Sequence, residues 1–302
     1  MTPIGRELSN WPSFQFKPEK PLKRRLTALG VPMQTGHGDM DFITRSAEWL
    51  MTPISGATEH YVEPLVSVHG RFMVFAWAIL LPVAIIISRF YKVTHNQDWP
   101  RKSNPFWMMS HRVLGQAVGV IMAIAVALAI LATPVEVPWR SFHIWAGWFI
   151  VLLGLMSVIG SLFRGTHGGP RAPYTGKPMP PEAWGGDHYD MTPRRIFFER
   201  THKFAGYMTL VISVIAIVSG LAAADALVWM WLALAVWWLG FIVVFTLLQR
   251  QGRCIDTYQA IWGVDENLPG NRVKPVGWGI QRFTSESLTK ARWLPRVARN
   301  PK

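Results

Sequence analysis

The sequence predicts an all-α fold, a polytopic membrane bundle of five transmembrane helices. Three observations predict it. Half of the 302 residues are hydrophobic and only 16% are charged, where a soluble globular chain carries about 25%. Five apolar runs stand out, at 68–90, 106–132, 142–163, 204–223 and 227–248; each is near or above the ~20 residues that a helix needs to cross the hydrocarbon. The formal charge of +13 keeps away from the central parts of the runs: 72–88, 113–132, 144–163 and 204–224 hold no charged residue. So basic a chain invites a nucleic-acid reading, but its apolar content excludes a soluble nucleic-acid binder and fits a membrane protein with basic loops.

The chain divides into an N-terminal arm at 1–67, a transmembrane unit at 68–248 and a basic tail at 249–302. The first 30 residues are polar and Pro-rich without an apolar stretch, unlike a secretory signal, so insertion is expected to be driven by a later span. Within the arm, 39–58 scatters Phe42, Ile43, Trp49, Leu50 and Met51 among polar residues. Two readings stand: an amphipathic segment lying on the membrane, or an irregular arm covering a partner subunit.

The connections set the orientation. Arg89, Lys92, Arg101 and Lys102 against Asp98 give the first a net +3. The second, 133–142, is neutral. The third, 164–201, carries +2, and the tail carries ten basic against four acidic residues. Positive charge gathers on the cytoplasmic side, so the first and third connections and the C-terminus are expected there, with the N-terminus outside. The Gly- and Pro-rich stretch 165–193 reads as a surface loop. The tail, with Trp262, Trp278 and Trp293, is expected to fold against the bundle or a partner. A single cysteine, Cys254, excludes an internal disulfide, a four-cysteine iron–sulfur site and a Cys-rich zinc site. Ile255 follows it, so no c-type haem attachment motif is present.

Four of the nine histidines, His69, His111, His143 and His202, sit near the N-terminal ends of successive apolar runs. The other five, His37, His60, His95, His167 and His188, lie outside the runs. Antiparallel spans alternate direction, so His69 shares a membrane face with His143, and His111 shares the opposite face with His202. Ionisable side chains in spans are costly and read as functional by default. Neutral imidazole is an axial ligand of haem iron, and two such pairs would hold two six-coordinate haem b groups, one near each face. The rival reading makes these histidines interfacial residues bonded to their neighbours. Two-histidine pairs without nearby Cys, Asp or Glu make poor zinc sites. Glycines accompany the histidines: Gly70, Gly115, Gly147 and Gly206. They give a flat macrocycle room, or they serve ordinary close helix packing. Met108, Met109, Phe142, Trp145, Phe204 and Tyr207 could line the macrocycles or belong to an interface belt.

These residues resemble the cytochrome b561 superfamily, in its bacterial and DOMON-associated branches, over about residues 68–250. The first span reads His69-Gly70-Arg71-Phe72-Met73, then Trp77, Pro82, Arg89 and Phe90, similar to the family's His-Gly-x-x-Met, Trp, Pro and Ala-Arg-Tyr/Phe pattern. Phe106-Trp107 before His111, His143 with Gly147, and Arg195, His202, Gly206-Tyr207 and Gly220 continue it. The chain departs from the pattern at Ser157, where the family often has Gln, and at Phe198-Glu199, where it often has Trp-Asn. No DOMON domain fits in the arm. The resemblance implies a four-helix dihaem core in which His69 and His143 share one haem b and His111 and His202 the other.

Such a core would pass single electrons across the bilayer. Arg71, Arg112 and Lys203, each within two positions of a ligand candidate, are candidates to pair with haem propionates; Arg89 and Arg195 could do the same or bind an anionic or quinone-type substrate. Snorkelling and phospholipid contact are the alternative for all five. The family moves electrons from ascorbate or another cytoplasmic donor. In a bacterial inner membrane a quinone/quinol pool is the expected exchange partner, with a redox protein at the other end. A transmembrane oxidoreductase is one reading of such a chain. The other is a haem-carrying anchor or accessory subunit of a larger respiratory or photosynthetic complex, which the long arm and basic tail favour. A transporter would need polar or broken span midpoints, and those here are uncharged.

Overall fold

The computed structural model describes residues 37–95, 97, 99, 104–133, 136–164, 193–288 and 294. Residues 1–36, nearly all of the 165–193 loop and Trp293 lie outside the described residues. The described chain is helical. Beyond helices it holds two isolated bridge pairs, Pro53–Leu227 and Ile255–Gln281. Helix α1 (His37–Leu50) belongs to the arm. Five helices are long and apolar enough to cross a membrane: α2 (Pro64–Phe90), α3 (Phe106–Leu131), α4 (Arg140–Leu162), α5 (Pro193–Ala223) and α6 (Val228–Arg250). By that measure the chain is an integral membrane protein. Three short helices follow in the tail: α7 (Thr257–Trp262), α8 (Pro269–Arg272) and α9 (Ser285–Leu288).

Local chemistry explains where these helices begin. Pro64 opens α2, where its missing N–H costs nothing, and the Glu63 carboxylate accepts from Val66 N at 2.8 Å. The Asn104 side chain accepts from Phe106 N at the start of α3. Helix α2 widens into a π turn at Phe75–Leu80, just before Pro82. Proline cannot donate to the carbonyl four residues earlier, that of Ala78. Trp237 Nε1 on α6 donates to Ala78 O instead. In hydrocarbon a freed carbonyl needs such a substitute partner.

Helices α2 to α5 form a ring. Helix α2 packs on α3, α4 packs extensively on α5, and α3–α4 and α2–α5 contacts close the circuit. Helix α6 leans on α2 from outside. The diagonals, α2–α4 and α3–α5, have almost no backbone approach. The core between the ring helices holds Ala76, Trp77, Val118, Met122, Ile150, Ala216 and Ile217. Gly154 lets α4 come close, since a Cβ there would stand 3.3 Å from the Trp77 ring. The outer faces stay apolar and uncovered, with Trp148, Phe149, Leu152 and Leu155 on α4 and Val236, Leu239 and Ile242 on α6. That is the pattern of side chains solvated by lipid.

Helix α5 differs from the sequence expectation: it starts at Pro193, well ahead of the apolar run at 204. Its 31 residues span about 46 Å, longer than the ~30 Å hydrocarbon layer. The extra turns carry Arg195 and Glu199, both buried, because the tail folds back over them. Val93, Trp99, Ile255, Ala260, Val264, Phe283, Leu288 and Leu294 form a separate core beneath the bundle. Trp99 Nε1 donates to Gln259 O, and Arg282 pairs with buried Asp256 at 2.7 Å. Of the two readings for the arm, its 37–50 part is a regular helix.

Candidate functional site

The structure brings the four histidines together in two pairs, each spanning a diagonal of the ring. His69 on α2 meets His143 on α4 with ring centroids 6.1 Å apart and planes at 89°. His111 on α3 meets His202 on α5 at 5.9 Å and 87°. Diagonal helices do not touch through their backbones, so each pair meets in the middle of the bundle. Metal–imidazole bonds of about 2 Å, with roughly 1 Å from each bonding nitrogen to its ring centre, put two rings on one ion about 6 Å apart. Both pairs have that spacing.

Hydrogen bonds orient three of the four rings. His69 Nδ1 lies 2.8 Å from Ala125 O, His143 Nδ1 lies 2.9 Å from Ala216 O, and His111 Nδ1 lies 3.3 Å from Ala84 O. A carbonyl can only accept, so Nδ1 carries the proton and donates, and in the neutral ring Nε2 keeps its lone pair for a ligand bond. This is the second-shell arrangement that orients ligating histidines. His202 is held differently. Its Nδ1 is buried with no hydrogen-bond partner among the described residues, and its ring stacks on Phe198 at 5.3 Å and 22°.

The glycines separate into two kinds. A Cβ at Gly70, Gly115, Gly147 or Gly206 would meet nothing within 4 Å, although all four residues are half-buried. Close helix packing would put atoms there, so these four mark open space beside each pair. Gly220 is the reverse: a Cβ would stand 2.8 Å from His143 Cε1. Its missing side chain is the seat of the His143 ring.

The basic residues divide too. Arg71 and Arg112 are exposed. Lys203 forms an ion pair with Glu199 at 2.6 Å and also donates to Val276 O. Arg89 is buried in an aromatic cage of Phe90, Tyr207, Phe245 and Trp278. It donates to Tyr207 Oη at 2.6 Å, Gln249 Oε1 at 2.8 Å and Trp278 O at 2.9 Å. Arg195 Nη1 donates to Arg164 O at 3.2 Å. Phe142, Trp145, Met109 and Phe204 are exposed on the outer surface, as an interface belt would be.

Sequence reasoning missed a second layer around His111 and His202. Lys92 is buried, donates to Ile255 O at 2.9 Å and lies over the Trp107 ring. Burial, with the Lys203 ammonium nearby, lowers its pKa to about 8. Burial also lowers the pKa of Arg164, helped by Arg195 and Arg112. Glu199 is buried among these cations; Oε1 accepts from Lys203 and Thr257, and Oε2 has no partner among the described residues. Among the described residues no cluster of three or more His, Cys, Asp or Glu side chains could hold a metal ion. The donor sets are histidine pairs, which suits a metal whose remaining ligands come from its own planar ring.

No protein-family model and no solved structure matches the chain. A cytochrome b561, DM13 and DOMON domain-containing protein of Arabidopsis thaliana is 23% identical to it over 209 residues, or 68% of this chain. The match covers 20% of that protein, so the chain spans about a fifth of the length of its curated relative.

Proposed function

We propose that the chain is a transmembrane b-type cytochrome that passes single electrons through two haem b groups, one between His69 and His143 and one between His111 and His202. The observation that carries this reading is the pairing itself: two pairs on opposite diagonals, both with centroids near 6 Å. The similarity to a cytochrome b561 protein supports it, as do the open spaces beside Gly70, Gly115, Gly147 and Gly206. When bound, haem iron supplies a one-electron ferric/ferrous couple. The chain's residues do the rest. His69 with His143, and His111 with His202, would hold the two groups, and two imidazoles at each iron would keep oxygen from binding there. The Ala84, Ala125 and Ala216 carbonyls fix the protonated nitrogen. The apolar spans exclude water.

The proposed orientation puts the His111–His202 end, with its net basic connections and tail, at the cytoplasmic face of a bacterial inner membrane, and the arm outside. A quinol, or another small donor, and a redox protein are the proposed exchange partners. Arg71 and Arg112, exposed near the two pairs, remain the candidates for propionate contacts; Lys203 would have to share its charge with Glu199. A second reading, a haem-carrying subunit of a larger complex, is favoured by the tail, whose separate core and buried Asp256–Arg282 pair build a cap beyond the span ends.

Purified protein tests the cofactor directly. The expected result is a reduced-minus-oxidised b-type spectrum, low-spin in both states, with about two haems per chain by pyridine haemochrome. A protein purified from haem-replete membranes without haem would overturn the reading.

A further inference from the structure

Helix α1 carries an apolar face that the described chain covers only in part. At 3.6 residues per turn, Met40, Phe42, Ile43, Ala47, Trp49 and Leu50 occupy one half of its circumference, interrupted by Ser46 and by the position of Asp39. Asp41, Thr44, Arg45 and Glu48 occupy the other. Ala47 and Leu50 are partly covered, while the rest of the apolar half is open: Phe42 is 73% exposed, and Ile43 and Trp49 are each 56% exposed. Met51 and Ile54, just beyond the helix, are also exposed.

The helix is fastened at a defined height. Immediately after it, Val228 N donates to Thr52 O at 3.0 Å and Ile54 N donates to Ala226 O at 3.1 Å. Ser55 donates from N and Oγ to the two carboxylate oxygens of Asp225, at 3.0 and 2.7 Å. Asp225 sits in the tight turn between α5 and α6, with φ +46°. A turn between two spans lies at the rim of the hydrocarbon, so its clamp holds α1 at that rim, where α1 also packs against α6. Exposed Trp139 and Trp145 near the start of α4, and Trp229 at the start of α6, lie at the same end of the bundle. They form an aromatic belt of the kind that marks the membrane–water boundary, and the open face of α1 continues it.

We infer that α1 is an interfacial helix, lying in the plane of the membrane that the spans cross, with Phe42, Ile43 and Trp49 inserted among the lipid chains. The partner is the lipid surface itself. Its recognition is apolar, because Asp41 and Glu48 outnumber Arg45 on the polar half; attraction to anionic headgroups does not drive it. Together with the Asp225 clamp, this contact would fix the arm over the His69–His143 end. The inference needs only that the spans cross a membrane and does not depend on the haem reading.

Site-directed spin labelling of the full chain in phosphatidylcholine nanodiscs tests it. The native thiol, buried Cys254, is replaced (Cys254→Ser). Single cysteines are then introduced at Phe42, Ile43 and Trp49 on one face and at Arg45 and Glu48 on the other, all exposed positions where substitution spares the core. Power saturation with oxygen and with a water-soluble nickel chelate reads the depth of each label. Labels at 42, 43 and 49 should be several-fold less accessible to nickel, and more accessible to oxygen, than labels at 45 and 48. Adding anionic lipid or salt should not change the ratio. Equal nickel accessibility on both faces would place the helix in water and overturn the inference. So would labels at 42 and 49 shielded from both reagents, with spectra broadened by a second copy, which would make the face a protein contact.

Discussion

At one end of the bundle, His69 and His143 are both tethered to backbone carbonyls within 3 Å. At the other end, His111 has a longer bond to its carbonyl and His202 has none. Lys92, Arg164, Glu199 and Lys203 surround that pair, and the tail roofs it. The same ligand geometry is thus set in two different electrostatic surroundings. A hydrogen bond from Nδ1 to a carbonyl makes the imidazole a stronger donor and favours the oxidised metal. Nearby cations favour the reduced metal, which carries one positive charge less. Both differences point the same way: the His111–His202 centre should be the easier to reduce.

The most damaging single change should act at one end alone. Gly220→Val would drive a side chain into the His143 ring, which a single Cβ already approaches to 2.8 Å. It should remove about half of the bound haem, all from the His69–His143 centre, as the loss of one component in a redox titration. No described glycine seats a ring of the other pair in this way, so a loss from both centres would break the comparison.

A smaller effect should come from charge. Lys203→Gln should make the His111–His202 centre harder to reduce, by roughly tenfold in the equilibrium or about 59 mV for one electron, and leave the other centre in place. The pH dependence is smaller again. Lys92, with its pKa lowered to about 8, is protonated below that pH and neutral above it. Raising the pH through 8 removes one positive charge near His111, so the potential of that centre should fall while the His69–His143 centre stays flat. Lys92→Met should abolish the step. Potentiometry at pH 7 and pH 9 measures both effects.

How much of this is legible in the sequence follows from the range of each interaction. The spans are legible because about 20 uncharged apolar residues have few other uses. The diagonal pairs are legible because antiparallel spans alternate direction, so four histidines at successive helix starts meet two by two. The basic environment was only partly legible. Lys203 was singled out for its place beside His202, yet its partner is Glu199, which only the burial of α5 under the tail brings into play. Lys92 could not be found, because its partner is the carbonyl of Ile255 and its burial depends on a core built from the tail. Gly220 was noted as part of a pattern, but its role needed the His143 ring in place. Phe142 and Trp145 looked equally suited to a cofactor wall and a lipid belt, since both surfaces are apolar; only the helix rotation separates the two.

The most direct measurement is haem stoichiometry in two paired variants, His69→Ala with His143→Ala and His111→Ala with His202→Ala. Each should retain one haem per chain with a low-spin b-type spectrum, and the haem left in the first variant should be the easier to reduce. A full complement of two haems in either variant, or complete loss from both while the protein remains folded in the membrane, would contradict the assignment of one haem to each diagonal pair.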